Sequence, residues 1–175
     1  RSLCDWSSDV CSSDLDTHHS AETVAENLQI SASDVAICST GLIGVRLPMD
    51  SLLRGIDMAS QSLKVESLQD AAEAIMTTDS KAKIAETAVS GAKFAGIAKG
   101  AGMLAPSLAT MLSVITTDAI VDPAIATQIF EEVCDKTFNR IDSDGCTSTN
   151  DTVLMMSSGA SGVTLSLEDL RSALF

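Results

Sequence analysis

The chain contains no tyrosine, one tryptophan and three prolines, and aromatic residues make up 3% of it. No basic stripe with interleaved aromatics is present. Basic residues are also scarce, 11 against 24 acidic ones for a formal charge of -13. A phosphate backbone would be repelled rather than tracked, and nucleic acid is not expected as a partner. Long apolar runs are missing too. None reaches the roughly 18 residues of a membrane span, and Lys81, Lys83, Lys93 and Lys99 interrupt the most apolar half. A soluble protein without a membrane association is expected. The five cysteines include no CxxC pair, and Cys38, Cys134 and Cys146 stand apart from both histidines. Neither a zinc site nor a disulfide framework is indicated, which fits a reducing, cytoplasmic setting.

What is present is 45% hydrophobic and 20% charged, sufficient to bury one substantial core or part of a larger one. The first fifteen residues, RSLCDWSSDVCSSDL, differ from the rest: they repeat Ser-Ser-Asp and lack hydrophobic periodicity. This stretch resembles the conceptual translation of a sequencing adaptor, has no signal-peptide regions, and is read as an artefactual or disordered leader, so Cys4 and Cys11 carry no argument. At the other end, Leu167, Leu170 and Leu174 recur at helical spacing up to Phe175 with no stop signal, so the chain is expected to be cut there.

Between these ends, helical and extended patterns alternate. Ala21, Val24, Ala25 and Leu28 share a helical face over residues 20–30, with Ser20 as a cap, and Asp34 to Ser39 reads as a buried strand. Thr40-Gly41-Leu42-Ile43-Gly44 supplies a tight turn with exposed backbone N–H groups. Helices follow over residues 49–63 and 67–76. A lysine-bearing connection leads to a Gly/Ala-rich stretch from Phe94 to Gly102. Thr110 to Ala119 then reads as a buried strand, Pro123 opens a helix running to about Phe138, and Thr152 to Met156 is a short strand. The order predicts α/β layers in a single unit over residues 16–175.

The segment most suggestive of chemistry runs from Lys99-Gly100-Ala101-Gly102 through Ala109-Thr110-Met111-Leu112 to Thr116-Thr117-Asp118-Ala119. Small residue Ala109 leaves the Thr110 hydroxyl room to attack the preceding carbonyl. Cleavage there would free an α-amine on Thr110, and an amine with a reference pKa near ~8 can take the proton of its own hydroxyl. One residue would thus supply nucleophile and base. The same pattern also fits a strand whose threonine simply fills a β-branched slot.

Three stretches together resemble the ornithine acetyltransferase (glutamate N-acetyltransferase) family: Cys38-Ser39-Thr40-Gly41-Leu42-Ile43-Gly44 with Leu47-Pro48, then Met76-Thr77-Thr78-Asp79, then Lys99 to Ala119. A fourth, Phe138-Asn139-Arg140-Ile141 with Asp144-Gly145 and Thr147-Ser148-Thr149-Asn150-Asp151-Thr152, is similar to the start of that family's nucleophile-bearing subunit. The resemblance covers the chain from about Asp16 onward. Within it, the connection between Thr77 and Lys99 is a few residues shorter than in the family, and Ala82 replaces a usual proline.

The resemblance implies a layered sandwich of β-sheets covered by helices, present here as an internal fragment. It also implies self-cleavage between Ala109 and Thr110, dividing residues 16–109 from 110–175. Thr110 would then carry acetyl from N-acetylornithine to glutamate in arginine synthesis, with acetyl-CoA as a further donor in some members and no other cofactor. Thr40 and Gly41 would form the oxyanion hole, while Thr77, Lys99 and Thr110 would bind substrate. The processed subunits would stay associated, as a dimer of heterodimers. From the residues alone, Thr40-Gly41 also reads as a turn, Lys99 as a solvated charge and Thr77 as a helix end. Two other functions stay open: a self-processing N-terminal-nucleophile amidohydrolase or aminopeptidase that passes the acyl group to water, and an inactive fragment.

Other candidates carry less. His18-His19 has no carboxylate or cysteine at ligand spacing, and Asp142, Asp144 and Asn150 lack the glutamate of a calcium loop. No metal is predicted. The seven methionines read as core filling.

Overall fold

The middle of the chain folds back on itself at Ser90-Gly91. In the computed structural model, which describes residues 10–40, 45–101, 110–141 and 150–175, this pair joins β1 (Lys83–Val89) to β2 (Ala92–Lys99). Ser90 and Gly91 both have positive φ, 51° and 89°, the combination whose twist suits a two-residue hairpin. Antiparallel pairing runs from Val89 opposite Ala92 to Lys83 opposite Ala98. β3 (Leu112–Thr117) lies antiparallel to β2, and β4 (Thr152–Ser157) lies parallel to β3, giving one sheet in the order β1-β2-β3-β4.

A parallel neighbour needs a crossover, and α4 (Pro123–Lys136) provides it. Pro123 opens this helix, and the Asp122 carboxylate accepts from the N–H groups of Ala124 at 2.8 Å and Ile125 at 3.3 Å. Two donors at the helix start are thereby satisfied. The closing helix α5 (Leu167–Leu174) is capped likewise by Ser166, whose oxygen accepts from the N–H of Asp169. Phe94, Ile129, Val133, Leu165 and Leu170 form the core, with Ile115 and Met155 packed against it. Phe94 and Ile115 belong to the sheet face covered by α4 and α5.

Directly opposite residues of neighbouring strands share a face. The pairs Ile97 with Val114 and Lys99 with Leu112 therefore lie on the other side of the sheet, toward α3 (Leu68–Ala74). A cavity of about 360 Å³ on that face is lined by Leu68 and Ala71 of α3 and by Ile97 and Val114. At the N-terminal end, α1 (Val10–Leu28) packs on α2 (Met49–Gln61), joined by Asn27 to Asp57 at 2.8 Å, while Arg46, ahead of α2, holds Asp16 of α1 at 2.6 and 3.1 Å. Helices thus lie on both sides of a sheet, an α/β architecture.

Several details differ from the sequence reading. Ser20 is no cap: it is buried within α1, which begins at Val10, and its hydroxyl donates to the carbonyl of Asp16. Residues 34–39 are no strand. A 3-10 turn over Ala32–Asp34, with Ser31 as its cap, leads into extended chain that pairs with no strand among the described residues. The lysine-bearing connection after residue 79 contains β1, and the Gly/Ala-rich stretch is largely β2. No described helix is long and apolar enough to cross a membrane.

Candidate active site

Lys99 closes β2 on the α3 side of the sheet, opposite Leu112. Only 1% of it is exposed, rare for a residue whose ammonium ordinarily keeps its hydration. Its Nζ donates to the Thr40 hydroxyl at 3.2 Å, across 59 residues of sequence. Burial lowers the Lys99 pKa, the carboxylates of Asp79 and Asp151 pull it back up, and the neighbouring Lys83 lowers it further. The ammonium therefore rests on a hydroxyl and is favoured by the charge of two acids.

Asp79 organises the next layer. Its side chain is fully shielded, and its Oδ1 accepts from the Gly100 N–H at 2.8 Å and from the Lys83 ammonium. Its Oδ2 faces the Thr77 N–H at 3.4 Å. Burial alone would raise the Asp79 pKa, but the Lys83 ammonium and the N–H groups of Gly100 and Thr77 outweigh it and hold the carboxyl below its ordinary value. Lys83 also donates to the Gly100 carbonyl at 3.0 Å. Gly100 has φ of 141°, and a Cβ there would meet the Met111 backbone at 3.4 Å. It is the positive φ that favours glycine at this position, and the chain leaving Lys99 runs in van der Waals contact with the residue after Thr110.

Met111 is held on both sides. Its N–H donates to Asp151 Oδ1 at 2.8 Å, and its carbonyl accepts from the Thr152 N–H at 2.9 Å. Thr110, half-buried, precedes it and lies two residues from Leu112, the partner of Lys99. Thr40, Thr77, Lys99 and Thr110 thus come from three separate stretches of sequence to the end of the sheet where β2 stops and β3 begins. Thr40 and Lys99 are in direct contact. Thr77 is exposed and reaches the group through its backbone bond to Asp79. Gly41 and Ala109 lie outside the described residues.

Lys83, Asp79 and Asp151 join the site only in the folded structure. Asp79 and Asp151 belong to the quoted Thr77-Thr78-Asp79 and Asn150-Asp151-Thr152 stretches, and that membership was the available signal. The Thr116-Thr117-Asp118 stretch is architectural. Thr117 donates to the Lys93 carbonyl at 2.8 Å, and Asp118 accepts from the Lys93 N–H at 2.8 Å, fixing β3 to β2.

His18 and His19 are exposed on α1, and His18 Nδ1 lies 2.9 Å from the Asp14 carbonyl. Among the described residues no three His, Cys, Asp or Glu side chains are grouped to hold a metal ion. Burial raises the pKa of both Cys38 and Cys134, with Asp135 adding to it at Cys134, so neither is primed as a thiolate. Asp142, Asp144 and Cys146 lie outside the described residues.

The family model described as the ArgJ family matches residues 12–175. Over 149 residues the chain is 54% identical to the arginine biosynthesis bifunctional protein ArgJ of Thermobifida fusca (strain YX), covering 85% of this chain and 39% of that protein. The protein of the same name from Streptomyces avermitilis is 51% identical over 158 residues, covering 90% of this chain and 41% of the relative. For that of Bifidobacterium longum (strain NCC 2705) the identity is 52% over 146 residues, covering 82% and 37%. The chain therefore spans about two fifths of the length of these relatives.

Proposed function

The chain belongs to the ArgJ family, and from that premise we propose that it is part of an acyltransferase of arginine biosynthesis that moves acetyl from N-acetylornithine to glutamate through an ester on Thr110. The observation that carries this reading is the buried Lys99 ammonium on the Thr40 hydroxyl, at the sheet end where Thr110 enters β3.

The chemistry begins with processing. The Thr110 hydroxyl adds to the Ala109 carbonyl, the peptide C–N bond breaks as the nitrogen gains a proton, and water hydrolyses the resulting ester. Ala109 is left as a carboxylate, while Thr110 keeps its hydroxyl and gains a free amine. In the transfer reaction that amine takes the hydroxyl proton as Thr110 attacks the acetyl carbonyl of N-acetylornithine. The same proton then goes to the departing ornithine amine. Attack by the glutamate amine on the acetyl-Thr110 ester completes the exchange. Each addition places a negative charge on oxygen. Thr40 accepts from Lys99 through its oxygen and so keeps its own hydrogen to donate to that charge, together with the Gly41 N–H. Lys99 and Thr77 would hold the substrate carboxylate, a match of ammonium and hydroxyl donors to acceptor oxygens.

No metal or organic cofactor enters this scheme, although acetyl-CoA could acylate Thr110 in place of N-acetylornithine. The two processed pieces would remain associated, and a dimer of such pairs is the assembly we propose for the full-length enzyme. The test is product analysis with labelled N-acetylornithine and a form extended to the length of its relatives. Label should appear on glutamate, and ornithine release should rise when glutamate is added. Label appearing as free acetate at a rate indifferent to glutamate would make the protein a hydrolase and contradict the proposal.

A further inference from the structure

The contact between Lys99 and Thr40 depends on where β2 ends, and that end is fixed by a carboxylate with no part in the acetyl-transfer scheme. Asp79 has no exposed side-chain surface, and its two oxygens face different partners. Oδ1 accepts from the Gly100 N–H and the Lys83 ammonium, and Oδ2 faces the Thr77 N–H. Lys83, at the start of β1, closes the loop by donating to the Gly100 carbonyl. One carboxylate therefore joins the turn bearing Thr77, the first residue of β1 and the residue directly after Lys99.

We propose that Asp79 is a positioning residue for substrate binding, which sets the Lys99 ammonium and the Thr77 turn in register with each other by holding the Gly100 N–H and the Thr77 N–H on its two oxygens. The inference rests on the proposed acetyl transfer and extends it. A carboxylate suits this task because both of its oxygens accept, whereas an amide would turn a donor toward one of the two N–H groups. Gly100 adds a constraint on the other side, since its backbone lies against Met111. A shift of the β2 end would therefore displace Lys99 relative to Thr110 as well. The charges of Asp79 and Asp151 both favour the protonated form of Lys99, so loss of Asp79 removes one of these two attractions.

The test uses enzyme of the relatives' full length carrying Asp79→Asn, Asp79→Ala, Lys99→Met, or Asp79→Asn with Lys99→Met, with KM and kcat for glutamate measured beside thermal melting. Each Asp79 variant is expected to raise KM roughly tenfold, the usual weight of a hydrogen bond to a charged group, with kcat changed by less than about threefold. In the Lys99→Met background, Asp79→Asn should raise KM by clearly less than in the wild-type background, because one of the two groups it positions is gone and only the Thr77 turn is left to act through. An equal rise in both backgrounds would overturn the proposal. So would an unchanged KM with only a lowered melting temperature, or failure of Asp79→Asn to fold, since each assigns the carboxylate to stability. Should Asp79→Ala alone fail to fold, the Asn variants decide. Wild-type enzyme that transfers no acetyl would contradict the acetyl-transfer reading instead, an outcome separate from any Asp79 effect.

Discussion

Lys99 is the residue in which sequence and structure differ most in consequence. Read alone, it is one of eleven basic residues and an ordinary surface charge. Folded, it is buried, and burial is the largest cause of its lowered pKa. The sign follows from the direction: a lysine disfavoured in its charged form costs the fold stability at pH values where it is protonated, and that cost is relieved as pH rises through the folded and then the unfolded value. Asp79 behaves oppositely, adding stability above the ordinary carboxylate value and losing it as pH falls through its depressed one. For binding, the neutral amine is a poor partner for a carboxylate. The KM for glutamate should therefore climb with pH before the ordinary lysine value of 10.5 is reached. Lys99→Met should show a raised KM without that rise. A wild-type KM that stays flat through this range would dissociate Lys99 from substrate binding.

Among the elements, the β1–β2 hairpin is the one the sequence reading missed, and its turn makes a specific prediction. Gly91 sits at φ of 89° with Val163 Cγ2 3.9 Å from where a Cβ would lie, so space is adequate and backbone strain decides. Gly91→Ala should lower stability by about 1 kcal/mol, checked by denaturant unfolding. No loss would show the turn relaxing to another type. The hairpin was legible in principle, since Ser90-Gly91 separates two runs that each begin with Ala or Lys and carry β-compatible residues. Lys83, Glu86, Lys93 and Lys99 hid it by breaking simple alternation. By contrast, β3, β4, α2, α3 and α4 followed from β-branched runs, helical periodicity and the Asp122-Pro123 start. Residues 34–39 were misread because apolar composition alone cannot create a strand. The ladder needs a neighbour, and none of the described strands provides one.

At the scale of the whole molecule, the site is a product of topology. Thr40, Thr77, Lys99 and Thr110 were picked out through the family resemblance, and their convergence came only with the fold: the Lys99 to Leu112 register, the Gly100 approach to Met111 and the contact across 59 residues between Lys99 and Thr40. No local pattern encodes such distances. Residues Asp79 and Asp151 stayed silent in sequence because a carboxylate that binds backbone N–H groups looks like any turn acid until its partners are known. The chain spans 39% of the length of the Thermobifida fusca relative.

The central claim, that Thr110 is a self-processed nucleophile, is tested most directly by the intact mass of the full-length enzyme beside its Thr110→Ala variant. The account predicts two pieces dividing between Ala109 and Thr110 in the wild type and a single uncleaved chain in the variant. A wild type that stays whole, or a variant that divides at the same bond, would contradict it.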